Sequence, residues 1–285
     1  MYLIEKTAQM QETSRQIRSS GKTIAFVPTM GFLHDGHLEL LREGKRRADV
    51  LILSIFVNPT QFGPTEDFGQ YPRDMDGDLK KAEDVGTDYV FTPPVGEMYP
   101  YGFQTKITVE RVPEHLCGLS RPVHFEGVAT VVAKLFNITK PHVALFGQKD
   151  FQQLSVIRRM VTDLNMDIEI VGVPTVREPD GLAMSSRNKY LDPDERRSAL
   201  CLKKSIDLAI AMIKDGERDP EKIKSAVRDL ILSYPFTDID YINICDPLTL
   251  DDIRTINEKA LLALAVRVGK TRLIDNRQMD VKASV

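Results

Sequence analysis

The sequence predicts an α/β protein: a Rossmann-like, doubly wound parallel sheet followed by a smaller α+β domain. Short apolar segments alternate with helical patterns through the first 175 residues, which is typical of βαβ units. Segment 50–57 is apolar except for one serine, as expected for a strand buried on both faces. Beyond residue 175, two helical patterns precede three strand patterns. We therefore divide the chain into an N-terminal domain, residues 1–175, and a C-terminal domain, residues 176–285.

The predicted elements follow in chain order. The first domain has strands over 23–27, 50–57, 88–91, 142–146 and 167–173, and helices over 36–48, 74–85, 127–137 and 151–164. In the second domain, a loop over 177–188 leads into one long helix over 193–214, with Asp192 as its N-cap and Pro193 in its first turn. A further helix covers 220–232, and strands cover 239–246, 260–268 and 271–274.

Composition and charge are those of a soluble globular protein. The 285 residues are 42% hydrophobic, and the net charge of −3 gives no basic surface for nucleic acid. The three cysteines, Cys117, Cys201 and Cys245, show no C-x-x-C spacing, which disfavours disulfides and structural zinc. No signal peptide or membrane span is evident. We expect a cytoplasmic protein with no nucleic-acid or membrane partner.

The most informative segment is residues 28–37, Pro-Thr-Met-Gly-Phe-Leu-His-Asp-Gly-His, directly after the first strand. His34 and His37 share one face at the start of the following helix. A helix N-terminus offers free N–H groups and partial positive charge, which suit a phosphate. A histidine pair at this spacing is more often an ordinary surface or core feature, but the strand–glycine–helix setting favours a triphosphate site. The turn resembles the His-x-Gly-His signature of the nucleotidyltransferase superfamily, which includes class I aminoacyl-tRNA synthetases.

Other polar groups follow predicted strands. Asn58 and Gln61 come directly after the strand over 50–57, where their amides can bind a carboxylate or hydroxyl unless this is an ordinary polar loop. Lys149 lies at a helix N-terminus, against the helix dipole, which indicates an anionic partner. The segment Met-Ser-Ser-Arg that ends at Arg187 suits phosphate oxygens.

An acidic segment, Asp74, Asp76 and Asp78, could hold Mg²⁺. The first turn of a helix explains these acids better, because negative charge there complements the helix dipole.

Together, these segments resemble the pantothenate synthetase family. The similar blocks are residues 28–37, 56–63, 71–73, 121–128, 146–153 and 173–188, in that order, and several blocks in order are far more specific than one. One departure is Val123, where the family commonly has glycine in Arg-Pro-Gly-His-Phe. Glycine accepts φ above zero and valine hardly does, so the conformation of that loop is an open question.

The resemblance implies an ATP-dependent ligase that joins pantoate to β-alanine through a pantoyl adenylate and releases AMP and pyrophosphate. It implies catalytic roles for His34, His37, Lys149 and Arg187, and pantoate and β-alanine binding by Asn58, Gln61 and Gln153. It also implies Mg²⁺, with protein ligands that the sequence does not identify, a homodimer, and a second domain that closes over the site. The implied ATP-binding residues are Met30, Gly31, Phe32, Leu33, His34, Asp35, Gly36, His37, Gly147, Gln148, Lys149, Asp150, Val176, Met184, Ser185, Ser186 and Arg187.

Three other functions fit part of the pattern. A cofactor adenylyltransferase shares the His-x-Gly-His turn, but Asn58, Gln61 and Gln153 favour a carboxylate substrate. A tRNA synthetase would carry a basic surface and an anticodon-binding module. A non-catalytic nucleotide-binding regulator would not need His34, His37, Lys149 and Arg187 together.

Overall fold

The computed structural model describes residues 1–64 and 66–281. Its larger sheet is parallel, with strand order β1-β4-β3-β2-β5-β6, which confirms the predicted α/β class. These strands are β1 (Tyr2–Ile4), β2 (Ile24–Thr29), β3 (Val50–Ile55), β4 (Tyr89–Phe91), β5 (Val143–Gly147) and β6 (Glu169–Val173). The first seven helices are α1 (Thr7–Ser19), α2 (Asp35–Arg47), α3 (Met75–Asp84), α4 (Val95–Met98), α5 (Cys117–Ser120), α6 (His124–Thr139) and α7 (Phe151–Asp163).

Apolar side chains cover both faces of the central strands. All six residues of β3 are buried, as the uninterrupted apolar run predicted. Phe26 and Ile52 join the core on the side of α6 and α7, whereas Val27 and Leu53 join the core on the side of α2. The alternation follows the two-residue period of a strand and explains why both faces need helices.

Strands β2 and β5 lie side by side, but the helices that follow them cover opposite faces of the sheet. Leu41 of α2 packs in one core, and Ile157 of α7 packs in the other. Such a reversal opens a crevice beyond the carboxyl ends of the two strands, where open α/β sheets bind ligands. Thr29 and Gly147 end these strands and place the following turns at that crevice.

The remainder of the described chain is a three-stranded antiparallel sheet with helices on one face, which confirms the predicted α+β class. The strands are β7 (Thr237–Cys245), β8 (Lys259–Val268) and β9 (Thr271–Asp280), and the helices are α8 (Pro193–Ala199), α9 (Cys201–Lys214) and α10 (Pro220–Leu232). Leu262 and Leu264 pack with the helices, whereas Leu261 and Ala263 pack with the core beside α6. The small sheet is therefore held between its own helices and the parallel sheet with its helices, β1 to β6 and α1 to α7, which we call the first unit.

Several local predictions need correction. The predicted helix over 193–214 is two helices, α8 and α9, which meet at Leu200. Asp192 does cap α8, with a reciprocal bond from its N–H to Glu195. Strand β9 continues past residue 274 to Asp280. The prediction ended too early because the second half of this strand is polar and lacks the apolar alternation by which a strand is recognised. β1 and α1 were not predicted, since α1 buries only Met10, Ser14 and Ile17.

Val123 needs no glycine-like backbone. Its φ is −92° and its ψ is −10°, in the right-handed helical region, and it is the N-cap of α6. A valine adopts this conformation without strain, so the substitution leaves the loop intact.

Among residues 1–64 and 66–281, no helix is both long enough and apolar enough to cross a bilayer.

Candidate active site

A cavity of about 220 Å³ lies at the crevice between β2 and β5. Its walls come from the turns after β2, β3 and β5, from α6, and from the loop before α8. The sequence predicted fifteen of its lining residues: Met30, His34, Gly36, His37, Asn58, Gln61, Gly147, Lys149, Asp150, Gln153, Val176, Met184, Ser185, Ser186 and Arg187. Residues from four separate segments of the chain thus meet around one space.

Five residues of the predicted ATP set do not line this cavity: Gly31, Phe32, Leu33, Asp35 and Gln148. Leu33 packs in the core beside α2, and Asp35 is exposed. The ring of Phe32 lies under the Lys189 ammonium, 4.1 Å from its centroid. The Gln148 side chain turns away to donate to the carbonyl of Gly172, at 3.2 Å. Contact between these five residues and ATP stays a prediction.

The two histidines of the His-x-Gly-His turn cap helix α2 reciprocally. His34 is the N-cap, and its Nδ1 accepts from the Gly36 N–H at 3.2 Å. The Nδ1 of His37 accepts from the His34 N–H at 3.3 Å. Because both Nδ1 atoms accept, each neutral ring carries its proton on Nε2. The ring centroids are 4.1 Å apart, so the site holds two adjacent imidazole N–H donors.

The glycine turn before His34 is held by helix α3. The buried carboxylate of Asp78 accepts from the N–H groups of Phe32, at 2.7 Å, and Leu33, at 2.6 Å. Lys81 donates to the carbonyl of Leu33 at 2.8 Å. Gly31, at φ +83°, approaches Asp78 so closely that a Cβ would lie 3.0 Å from Oδ2. Asp78 therefore fixes the direction in which the chain enters α2.

These contacts correct one expectation. The N–H groups of Phe32, Leu33, His34 and Gly36 already have partners within the protein, so they are not free for a phosphate. An anion in this cavity would instead meet side-chain donors. The acidic segment also has a structural role, since Asp74 caps α3 and Asp78 holds the turn.

Both histidines are poised to stay neutral. Burial, with a smaller contribution from Lys149, lowers the pKa of His34 to about 4. Burial, followed by His34 and Lys149, holds the pKa of His37 well below its usual range. A bound polyanion would oppose the effect of Lys149 and raise both pKa values.

Lys149 and Arg187 line the same cavity as the two histidines. The side chain of Lys149 is 17% exposed and lies 3.9 Å from a carboxylate oxygen of Asp150. Arg187 donates twice to Asp67, at 2.9 and 3.1 Å, and its guanidinium lies over the Tyr71 ring, 5.8 Å from the centroid. The sequence analysis missed Asp67 as the partner that orients Arg187, because no motif marks the segment between the blocks that end at Gly63 and begin at Tyr71.

The predicted amides of Asn58 and Gln61 lie in the turn after β3. Asn58 donates to the side-chain oxygen of Gln61 at 3.2 Å, and Gln61 donates to the sulfur of Met30 at 2.9 Å. Sulfur is a weak acceptor, so a ligand carboxylate would be a better partner for the Gln61 amide. A side-chain amide has one oxygen acceptor and two N–H donors, so Gln61 can keep its bonds to Asn58 and Met30 and still donate to a ligand.

A partly buried network holds the backbone of Gln61. His124 donates from Nδ1 to the Gln61 carbonyl at 2.9 Å, and Arg121 contacts His124 Nε2 at 3.2 Å. Glu66 binds Arg121 with both carboxylate oxygens, each at 2.6 Å. Burial, followed by Arg121, lowers the pKa of His124 to about 4. The block over 121–128 thus supports the turn that carries Asn58 and Gln61 and does not itself present a charge to their amides.

An apolar wall completes the cavity, formed by Val128, Val131, Val132 and Leu135 of α6 with Phe56 and Phe146. The sequence analysis placed α6 but did not connect it with the site. Its near-continuous apolar composition was the available signal, since only a helix buried all round has that composition.

A second, larger cavity of about 670 Å³ separates the first unit from strands β8 and β9. The two cavities share the lining residues Lys149, Asp150, Gln153, Ser185 and Arg187. The two cavities therefore adjoin, and we call the one at the sheet the inner chamber and the one between the units the outer chamber.

A doubly wound sheet whose switch point carries paired imidazoles, a lysine and an arginine defines an α/β enzyme of the class that binds nucleotides or other polyanions. The comparison with known proteins identifies the family within that class. The model of the pantoate-beta-alanine ligase family matches residues 2–278. The chain therefore belongs to the pantoate–β-alanine ligase family, whose members are enzymes that form an amide bond.

Curated relatives and solved structures agree with this assignment. The chain is 59% identical to the pantothenate synthetase of Geobacter sulfurreducens over 276 residues, which cover 97% of this chain and 98% of the relative. The pantothenate synthetase of Desulfatibacillum aliphaticivorans is 55% identical and is covered over its whole length, with 98% of this chain. The crystal structure of the Thermus thermophilus pantothenate synthetase superposes with a TM-score of 0.92 at 41% identity, covering 99% of both chains.

A further structure adds ligands. The pantoate-beta-alanine ligase of Francisella tularensis, described as complexed with beta-gamma ATP and beta-alanine, has a TM-score of 0.80 and 32% identity to this chain. The superposition covers 99% of this chain and 98% of that one.

Proposed function

We propose that this chain condenses (R)-pantoate with β-alanine to form pantothenate, with conversion of ATP to AMP and pyrophosphate. The main observation in support is that one cavity brings together anion-binding donors and the uncharged amide of Gln61. The donors are His34, His37, Lys149 and Arg187. A phosphate chain and a carboxylate substrate need these two kinds of partner side by side. Family membership supplies the reaction that joins them.

The first half-reaction forms pantoyl adenylate. The pantoate carboxylate attacks the α-phosphate, the bond from that phosphorus to the bridging oxygen breaks, and pyrophosphate leaves. The Nε2–H groups of His34 and His37 stabilise the charge that develops on the α-phosphate, and Lys149 and Arg187 neutralise the departing pyrophosphate. Neutral imidazoles suit this role because each donates a hydrogen bond without the cost of burying a charge.

The amides position pantoate. Gln61 and Gln153 bind its carboxylate and hydroxyl groups, with Asn58 orienting Gln61 through the 3.2 Å bond between their side chains. The apolar wall of α6 receives the hydrocarbon part of the substrate. Positioning two reactants in this way supplies a large part of the rate in a reaction that uses no protein nucleophile.

Magnesium is proposed to enter with ATP, as the MgATP substrate. Within the part of the chain that the structure describes, no cluster of three or more His, Cys, Asp or Glu side chains is arranged to hold a metal. Asp150 is the one carboxylate among the described residues that line the inner chamber. This donor set fits an ion held by phosphate oxygens, water and at most one carboxylate.

The second half-reaction uses the outer chamber. The amine of β-alanine attacks the acyl carbon of the adenylate, the C–N bond forms, and the bond from that carbon to the phosphate oxygen breaks. AMP leaves with the electron pair of that bond, and the nitrogen releases a proton. We propose that residues 1–175 form the domain that binds ATP and pantoate, and that residues 176–285 form a lid that keeps water from the adenylate. The contact of β8 and β9 with the outer chamber supports this role.

Assembly and location complete the proposal. We infer a cytoplasmic homodimer from the resemblance to the family, and sedimentation velocity tests the oligomeric state. The small-molecule substrates are its proposed partners, with no nucleic acid or membrane among them.

The function is tested by incubating the purified protein with pantoate, β-alanine and MgATP. Pantothenate, AMP and pyrophosphate should appear in equal amounts, and omission of any one substrate should abolish pantothenate formation. Formation of ADP in place of AMP, or pantothenate formation without ATP, would overturn the proposal.

A further inference from the structure

Asn276, on strand β9 of the small sheet, contacts the backbone of the first unit directly beside the inner chamber. Its side-chain amide donates to two consecutive carbonyls, that of Gln148 at 3.0 Å and that of Lys149 at 2.7 Å. An amide has two N–H donors, so this pair of bonds uses both. Two bonds to adjacent peptide units fix both the position and the orientation of the backbone from which the Lys149 side chain extends.

Asn276 is itself held rigidly. Its backbone N–H donates to Oδ1 of Asp275 at 2.8 Å. Asp275 is 2% exposed, and its two carboxylate oxygens accept from the two terminal guanidinium nitrogens of Arg177, at 2.7 and 3.0 Å. A buried bidentate pair of this kind is strongly directional, so the β9 backbone at this point has little freedom.

The cluster formed by Arg177, Asp275 and Asn276 also holds the loop that carries Arg187. Arg177 donates to the carbonyl of Gly181 at 3.1 Å and pairs in a β-bridge with Ala183. The chain then continues into Ser185 and Arg187, which line both chambers. One buried cluster on β9 therefore sets the positions of Lys149 and of the Arg187 loop, which come from separate segments of the chain.

We propose that Asn276 is a positioning residue for the nucleotide: by binding the carbonyls of Gln148 and Lys149, it keeps the Lys149 ammonium aligned with the phosphate chain and couples the small sheet to the reaction. This inference rests on the proposed function, since it takes ATP as the ligand of Lys149. Asn276 itself lines the outer chamber, and in this proposal it acts on the nucleotide through Lys149.

Two substitutions test this role. Asn276→Ala removes both donors, and Asn276→Asp keeps the shape but presents oxygens to the two carbonyls. Because a displacement of 1 Å can cost about a hundredfold in rate, kcat/KM for ATP should fall about 10- to 100-fold in both variants. Asn243→Ala is the matched control, since Asn243 lies on the same sheet and donates to Asp252 at 2.8 Å, away from the site. It should stay within about twofold of wild type.

A double-mutant cycle separates positioning from a merely structural effect. If Asn276 acts through Lys149, then Asn276→Ala added to Lys149→Ala should lower kcat/KM less than about threefold further. An equal loss in both backgrounds would overturn the inference, as would unchanged kinetics in both single variants. If Asn276→Ala does not fold, Asn276→Asp and Asn276→Ser carry the same cycle.

Calorimetric titration with MgATP distinguishes this inference from the proposed function. A wild-type protein that makes no pantothenate refutes the proposed function. ATP affinity that is lower in Asn276→Ala, and not further lowered in the Lys149→Ala background, still supports the positioning role. ATP affinity unchanged by Asn276→Ala, in an active enzyme whose kinetics also stay unchanged, refutes the inference alone.

Discussion

Replacing His37 by alanine tests the chemistry of the inner chamber most specifically. The substitution removes one of two imidazole N–H donors whose ring centroids lie 4.1 Å apart. Loss of one donor to transition-state charge costs about 10²–10³ in kcat, or ~2.7–4 kcal/mol. ATP affinity should fall far less, because His34, Lys149 and Arg187 remain. Steady-state kinetics measures kcat, and calorimetry measures ATP affinity on the same samples.

His37 also has a structural role, and a control separates the two. Its Nδ1 accepts the His34 N–H, so the variant should lose about 1 kcal/mol of stability with the cap. His142 accepts the Ile24 N–H through Nδ1 at 2.9 Å, at the amino end of the sheet and away from the cavity. His142→Ala should show a comparable stability loss with kcat within about threefold of wild type. A near-normal kcat in His37→Ala, or equal kcat losses in both variants, would refute the reasoning.

Three further predictions follow from the site and its support. Gln61→Ala and Gln153→Ala should each weaken pantoate binding about tenfold or more, with little change for ATP, because a substrate oxygen loses its buried partner; calorimetry with each ligand measures this. Asp78→Ala leaves the N–H groups of Phe32 and Leu33 without their acceptor and should cost about 2–4 kcal/mol in urea unfolding. Acidification from pH 7 to 5 should lower the free energy of unfolding. In the folded chain His34 and His124 have pKa values of about 4, whereas histidines of the unfolded chain bind protons near pH 6.5. Each of the two therefore changes the free energy of unfolding by up to about 1.4 kcal/mol per pH unit.

Each of these predictions has its contradicting result. Pantoate affinity unchanged in both glutamine variants would remove the amides from the substrate site, and Gln16→Ala, on the exposed face of α1, serves as the control. Asp76 is an exposed residue in the same first turn of α3, and Asp76→Ala should lower the free energy of unfolding by less than about 1 kcal/mol. A loss equal to that of Asp78→Ala would show that the bonds from Asp78 to the turn do not stabilise the fold. Stability that rises between pH 7 and 5 would show that the buried histidines do not stay neutral.

The sequence was most informative where one short segment carries both the local structure and the chemistry. The apolar run of β3 and the strand–glycine–helix order after β2 predicted the parallel sheet and the location of the cavity at its switch point. Fifteen of the predicted site residues line that cavity because the carboxyl ends of parallel strands meet at one edge of a sheet.

Sequence reasoning was less informative where a contact joins distant segments. Nothing local to Asp78 shows that it occupies the N–H groups of Phe32 and Leu33, so the turn looked free for a phosphate. Asp67 orients Arg187 across 120 positions of sequence, and Asn276 reaches Lys149 across 127. Helix α1 and the second half of β9 lack apolar periodicity because their buried contacts are few or polar.

The adenylate is the central claim of the proposed mechanism, and pyrophosphate exchange tests it most directly. The enzyme, given labelled pyrophosphate, MgATP and pantoate without β-alanine, should transfer label into ATP, because the first half-reaction is complete and reversible without the amine. Omitting pantoate should abolish the exchange, since no protein residue carries the adenylyl group. Exchange with ATP alone would indicate a covalent adenylyl-enzyme, and no exchange with pantoate present, in an enzyme active on all three substrates, would contradict an adenylate formed before the amine binds.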